Sequence, residues 1–141
     1  MKELDIQRFL YQSLREDGGF GMKMSSQLYA GIPDLLLQHR KVGTWLVEIK
    51  YIPDLAWEAL RIPIKTTVLQ KHTLQEFQDA GGKSAVIVVG RDKPNNCYHL
   101  LYTKDIGMGH FNRGWEQHMS KHIGNKWPIL AILEDLNDAT S

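Results

Sequence analysis

Apolar positions near the start of the chain recur at helical spacing. Ile6, Phe9, Leu10 and Leu14 stand three or four apart, with Glu3, Arg8, Gln12 and Arg15 between them. That pattern predicts an amphipathic helix from residue 2 to about 16, ended by Gly18 and Gly19. Phe20 to Met24 alternates large and small residues and reads as a short first strand. Two apolar runs rich in strand formers follow, Leu35 to Leu37 and Trp45 to Ile49, separated by His39, Arg40, Lys41, Val42 and Gly43. A β-hairpin is the economical reading. With its turn centred on Lys41, Leu37 faces Trp45, Leu35 faces Val47, and Asp34 faces Glu48.

Pro53 and Pro63 interrupt Tyr51 to Lys65, which therefore reads as a long connection with room for one helical turn at Leu55 to Leu60. Thr66 or Thr67 can cap a second helix running to about Ala80, with Leu69, Leu74 and Phe77 for burial and Gly81-Gly82 as its stop. Ser84 to Val89 is continuously apolar, as expected of a central strand covered on both faces. After a polar loop, Cys97 to Thr103 predicts a further strand. Asn112 to Ile123 reads as a helix, Trp127 to Leu133 as a strand or a helix, and Glu134 to Ser141 as a polar tail. The expected fold class is α/β, a mixed β-sheet flanked by helices with a C-terminal helical appendage.

Composition narrows the setting. With 141 residues, 43% of them hydrophobic, the chain suits one domain over 1–141, its core at about 3–103 and an extension over 104–141. Lys and Arg number 17 against 16 acids, so the net charge of +1 exerts no global pull on nucleic acid and any basic surface must be local. The lone cysteine, Cys97, excludes an internal disulfide framework and reads as a small core residue. No apolar run reaches the ~20 residues that span a bilayer, and the charged N-terminus lacks a signal-peptide core. A soluble cytoplasmic protein is expected.

The hairpin also carries chemistry. Directly opposed residues of paired strands have Cβ atoms ~5 Å apart, so Asp34 and Glu48 would stand side by side, with Lys50 on the face of Glu48 and Ile49 turned to the core. Two carboxylates so close call for a shared proton or a cation between them. A hard oxygen site of this kind suits Mg²⁺ or Mn²⁺, which keep waters and can still contact a phosphate. Such a metal polarises a phosphoryl oxygen and acidifies bound water, and Lys50 could orient that water or stabilise charge on phosphorus. No organic cofactor is implied.

Pro33-Asp34, thirteen intervening residues and then Glu48-Ile49-Lys50 resemble the PD-(D/E)xK nuclease superfamily. A Glu-bearing helix precedes the motif and Gly31 directly precedes Pro-Asp. A helix with Gln70, then Ala80-Gly81-Gly82 and an apolar strand, follow. This series, over roughly residues 3 to 90, is similar to the VRR-NUC group and to archaeal and phage resolvases of four-way DNA junctions. The resemblance implies a restriction-endonuclease-like fold and a Mg²⁺-dependent endonuclease, phage-encoded or microbial, that leaves a 5′-phosphate. Asp34, Glu48 and the Ile49 backbone carbonyl would ligate the metal, and Lys50 would assist the water. Glu3 would complete the metal site, with Glu16 as a weaker substitute, and Gln70 would support it. The alternatives are a flap or repair nuclease of VRR-NUC type and a non-catalytic DNA-binding module. The link from Tyr51 to Thr67 is longer than the family's usual one, which bears on the placement of Gln70.

Other features are weighed against this site. Pro53-Asp54 repeats Pro-Asp but lacks a Glu-x-Lys at comparable spacing, and reads as a plain turn. His118 and His122 are four apart, yet no Glu adjoins the first as HExxH chemistry requires, so an exposed face is expected. Lys23, Lys65, Lys71 and Arg113 are the leading candidates for DNA phosphates, with Lys121 and Lys126 behind them; Trp115 and Trp127 could stack on distorted DNA. Trp57, Leu60, Ile62 and Ile64 form an apolar cluster for burial or an interface. Branched DNA is the expected partner, and because a four-way junction offers two symmetric strands, a homodimer is expected to bind it.

Overall fold

A computed structural model describes residues 2–24, 31–53, 61–92, 97–107, 109–112, 119–122 and 127–138. The first helix, α1 (Glu3–Glu16), forms where the apolar period predicts it. Asp5 Oδ2 accepts the Lys2 amide at 3.0 Å, satisfying a donor that the first turn leaves open. At the other end Gly18 takes φ +86° and the Gly19 amide returns to the Leu14 carbonyl at 2.9 Å. Ile6, Leu10 and Leu14 are fully buried, each stabilising the fold by roughly 1.5–3 kcal/mol.

Strand β1 (Phe20–Lys23) pairs antiparallel with β2 (Leu35–His39), which forms the predicted hairpin with β3 (Gly43–Ile52). Its register is Leu35 with Val47 and Leu37 with Trp45, closing at His39 with Gly43, where Gly43 supplies a φ of +79°. A three-residue strand β4 (Arg61–Pro63) leads to α2 (Val68–Asp79), capped by Thr67. The central strand β5 (Lys83–Asp92) runs parallel to β3 and pairs antiparallel with β6 (Cys97–Thr103). Beyond lie β7 (His110–Asn112), β8 (Met119–His122) and α3 (Ile129–Asp138). The main mixed sheet has six strands in the order β1-β2-β3-β5-β6-β8, and β4 and β7 form a separate pair.

Alternation along the strands sorts the core into two layers. Trp45, Val47 and Ile49 of β3 join Ala85, Ile87 and Val89 of β5 under α1 and α3. Leu46, Val86, Val88 and Leu101 pack on the other face with Leu74 of α2 and Ile64. Ser84 Oγ donates to the Leu74 carbonyl at 2.9 Å, and Gln78 Nε2 reaches the carbonyls of Ser84 and Lys104, so α2 is bonded to the sheet along its second half.

The C-terminal part differs from expectation. In place of a helix over Asn112 to Ile123, the chain forms β7 and β8, and β8 joins the main sheet beside β6. Cross-strand pairing overrides a weak local helical pattern; residues 113–118 lie outside the described residues. The ambiguity at Trp127 to Leu133 resolves as α3, which continues through Glu134 to Asp138 rather than ending in a polar tail. Ile129, Ile132, Leu133 and Leu136 are three or four apart and pack in the core. Trp127 stacks on Phe9 at 5.9 Å between centroids, tying α3 to α1. No helix among the described residues is long and apolar enough to cross a membrane.

Candidate active site

The hairpin register carries Asp34 to the position after the last β2–β3 rung, Leu35 with Val47, where β3 bears Glu48. Pro33, just before it, has no amide with which to extend the ladder. The Asp34 side chain takes over: its Oδ2 accepts the Ile49 amide at 2.8 Å. A residue's amide and carbonyl point to the same side of an extended strand, so the Ile49 carbonyl also faces this gap past the last rung.

Glu48 lies beside it, fully buried, and among the described residues no backbone or side-chain donor reaches either carboxyl oxygen, which leaves the Asp34 carboxyl as its close polar neighbour. Burial first, then the adjoining Asp34 carboxyl, push Glu48 from an ordinary 4.5 up to about 9, outweighing the attraction of Lys50. A charged buried carboxyl that no donor reaches costs about 1–3 kcal/mol or more, so the pair calls for a proton shared with Asp34 or for a cation. Ile49, between Glu48 and Lys50, is buried in the opposite layer as alternation requires.

Half-buried Lys50 points its Nζ at Gln70 Oε1, 3.5 Å away. That oxygen also accepts the Thr67 amide at 3.1 Å, while the Gln70 amide donates to Thr67 Oγ1 at 3.1 Å, a reciprocal capping box. Gln70, Leu74 and Phe77 are spaced i, i+4, i+7, so Gln70 occupies the sheet-facing side of α2 despite the long preceding link. Leu69, expected to be buried, is 54% exposed. Five residues from Leu74, it stands about 140° around the helix from the sheet-facing side.

Glu3 enters from the other layer. At the first residue of α1, its Oε2 accepts the Tyr51 amide at 3.4 Å, and burial followed by the Asp34 charge raises its pKa. Glu16 is exposed at the far end of the same helix. Among the described residues no three His, Cys, Asp or Glu side chains stand close enough to hold a metal ion by themselves. The donor set that does converge is two carboxyls and a main-chain carbonyl, which fits a hard cation that keeps several waters.

Of the candidate phosphate ligands, Lys65 is exposed and Lys71 half-buried on either side of the α2 cap, and exposed Lys23 ends β1 opposite Leu35. Arg113 lies outside the described residues, as do Asp54, Trp57, Leu60, Trp115, His118 and Lys126. The side chains of Ile62, Cys97, Lys121 and His122 are likewise outside the description, although β8 sets His122 on a strand. Trp127 is buried against Phe9 and Tyr98 rather than open for stacking.

One contributor escapes sequence reasoning. Gly31 has φ +85°, and a Cβ there would lie 2.7 Å from the Leu69 carbonyl oxygen. The segment leading to Asp34 therefore abuts the first turn of α2 backbone to backbone. The Gly31-Ile32-Pro33-Asp34 order signals a turn, but what it touches is a tertiary fact.

This mixed sheet between helices is similar in fold to a solved junction resolvase. Among 12 solved chains that match is Hjc, a Holliday junction resolvase from the archaeal hyperthermophile Archaeoglobus fulgidus. It superposes with a TM-score of 0.52 at 10% sequence identity, over 77% of this chain and 85% of that one. No protein-family model and no curated protein matches the chain.

Proposed function

We propose that this chain is a divalent-metal-dependent endodeoxyribonuclease of the PD-(D/E)xK superfamily, resolvase-like in acting on branched DNA. The observation that carries the reading is Glu48: a fully buried carboxyl that no donor group reaches, set against a second carboxyl and on the face of a lysine. Asp34, Glu48 and the Ile49 carbonyl would hold Mg²⁺ or Mn²⁺, with Glu3 closing the site. When bound, the cation would compensate the paired acids and polarise a phosphoryl oxygen.

The chain's own groups do the rest. Asp34 keeps one oxygen on the Ile49 amide, so its other oxygen is held toward the site. Gln70 aims the Lys50 ammonium, which can hold the attacking water in line with the scissile bond and neutralise charge gathering on the phosphoryl oxygens. Lys23, Lys65 and Lys71 would bind flanking phosphates. A homodimer would present two such sites to the two equivalent strands of a four-way junction.

The test is cleavage of a synthetic four-way junction, a flap and a linear duplex, each with Mg²⁺, Mn²⁺ or EDTA, by wild type and Asp34→Ala. Paired, symmetric nicks in the junction that need both metal and Asp34 are expected. Equal cleavage by the two proteins would refute the assignment, and equal cutting of flaps and linear ends without junction nicks would replace resolvase by flap nuclease.

A further inference from the structure

We infer that Val68 and Leu69 form an apolar wedge at the rim of the acid cluster that unstacks bases at a DNA branch point. The inference rests on the nuclease reading and goes beyond it by naming what selects the substrate.

Val68 is 81% exposed and Leu69 54%, adjacent apolar side chains at the start of α2. Single exposed apolar residues need no explanation, but three observations set this pair apart. It is fixed: the Thr67–Gln70 capping box closes the turn that carries it, and Gly31 packs against the Leu69 backbone with no room for a Cβ. It adjoins the site: Gln70, the next residue, contacts Lys50, and Gly31 lies three residues before Asp34. It is bracketed by cations: Lys65 and Lys71 lie three residues to either side of Val68, Lys71 one helical turn along the same face.

Apolar surface between two ammonium groups matches a nucleic-acid strand, whose phosphates alternate with flat apolar base faces. Wedges of aliphatic side chains enter base steps at a cost of a few kcal/mol, least where stacking is already broken. A branch point meets that condition and an intact duplex does not. A rigid wedge beside the acids thus couples branch recognition to the position of the scissile phosphate. Apolar burial against a second copy of the chain is the competing occupant.

The test places the fluorescent adenine analogue 2-aminopurine at the branch of a four-way junction and at the same sequence position in a duplex. Wild type, Val68→Ser/Leu69→Ser and Asp34→Asn are compared in Ca²⁺ for fluorescence and in Mn²⁺ for cleavage, with sedimentation velocity on each. Wild type and Asp34→Asn are expected to brighten the branch base. The double variant is expected to leave it dark, and its junction-to-duplex cleavage ratio to fall at least about tenfold. An unchanged ratio and an unchanged signal would overturn the wedge while leaving the nuclease intact. A loss of the dimer in the double variant, with the signal per bound protein unchanged, would overturn it in favour of a subunit contact. Brightening by a wild type that cleaves nothing would refute the nuclease reading and retain the wedge. The conservative Val68→Ile/Leu69→Met variant should keep signal and ratio, since the wedge needs only apolar bulk.

Discussion

Asp34 and Ile49 are joined side chain to main chain: the carboxylate at the start of one strand accepts, at 2.8 Å, the amide that separates Glu48 from Lys50. One bond therefore terminates the β2–β3 ladder and sets the spacing of the acids. Asp34→Ala removes both bond and charge, and activity on junction DNA should fall at least about a hundredfold, the scale on which electrostatic groups at such centres act. Asp34→Asn keeps an acceptor for the Ile49 amide and loses only the charge. It should melt above Asp34→Ala in EDTA, by an amount matching about 1 kcal/mol for the hydrogen bond, yet be as inactive. Differential scanning fluorimetry and a nicking assay read the two effects separately; an active Asp34→Asn would remove the carboxylate from the mechanism.

The elevated pKa of Glu48 fixes the sign of a pH effect. In the metal-free fold the carboxyl holds its proton up toward about 9, whereas in the unfolded chain it releases it near 4.5. Between these values the folded state binds more protons, so stability is full below the lower value and is lost as pH rises through the higher one. Glu3 is shifted in the same direction, by burial and by Asp34. Metal-free wild type should thus lose melting temperature steadily from about pH 5 to pH 9. Glu48→Gln, which has no proton to lose, should lose less and melt about 3 °C or more above wild type at the alkaline end. Millimolar Mn²⁺ should raise the wild-type curve there and move the variant little. Parallel melting curves for the two proteins would show that Glu48 does not titrate in this way.

Gln70 has two tasks that can be separated. It completes the capping box with Thr67, and it receives Lys50 on the same oxygen. Gln70→Ala should cost about 1 kcal/mol of stability through the cap and lower kcat through a released Lys50. Thr67→Ala should cost a similar amount of stability while keeping most of the rate, because the Gln70 oxygen still meets Lys50. Matching kcat losses in the two variants would mean that the cap alone matters.

The sequence made some of this legible and concealed the rest for physical reasons. Hairpin register follows from strand period and one turn, so the pairing of Leu35 with Val47, and hence of Asp34 with the level of Glu48, was available in advance. α1 and α2 were readable from local period and caps. β8 was not, because an edge strand of few residues is held by its neighbour β6 rather than by its own pattern. Apolar character alone assigns Leu69 to the core, whereas angular position excludes it: the i, i+4, i+7 stripe of Gln70, Leu74 and Phe77 marks the face of α2 that meets the sheet. The contact of Glu3 with the Tyr51 amide lies 48 residues away in sequence, and only the packing of α1 on the sheet brings the two together.

Gly31 tests whether that packing sets the chemistry. Its φ of +85° costs a side chain strain, and a Cβ would meet Leu69 backbone at 2.7 Å, where no rotamer can relieve the overlap. Gly81 offers a control, with φ +95° and nothing within 4 Å of a Cβ. Gly81→Ala should lose about 1 kcal/mol from backbone strain alone and keep its rate. Gly31→Ala should lose more, about 1–3 kcal/mol, and should also lose activity, because relief of the overlap moves either Asp34 or the turn that presents Gln70. The decisive comparison is nicking rate at a temperature where both variants are fully folded. Equal rates there would show that the Gly31–Leu69 contact stabilises the fold without positioning the acids against Lys50.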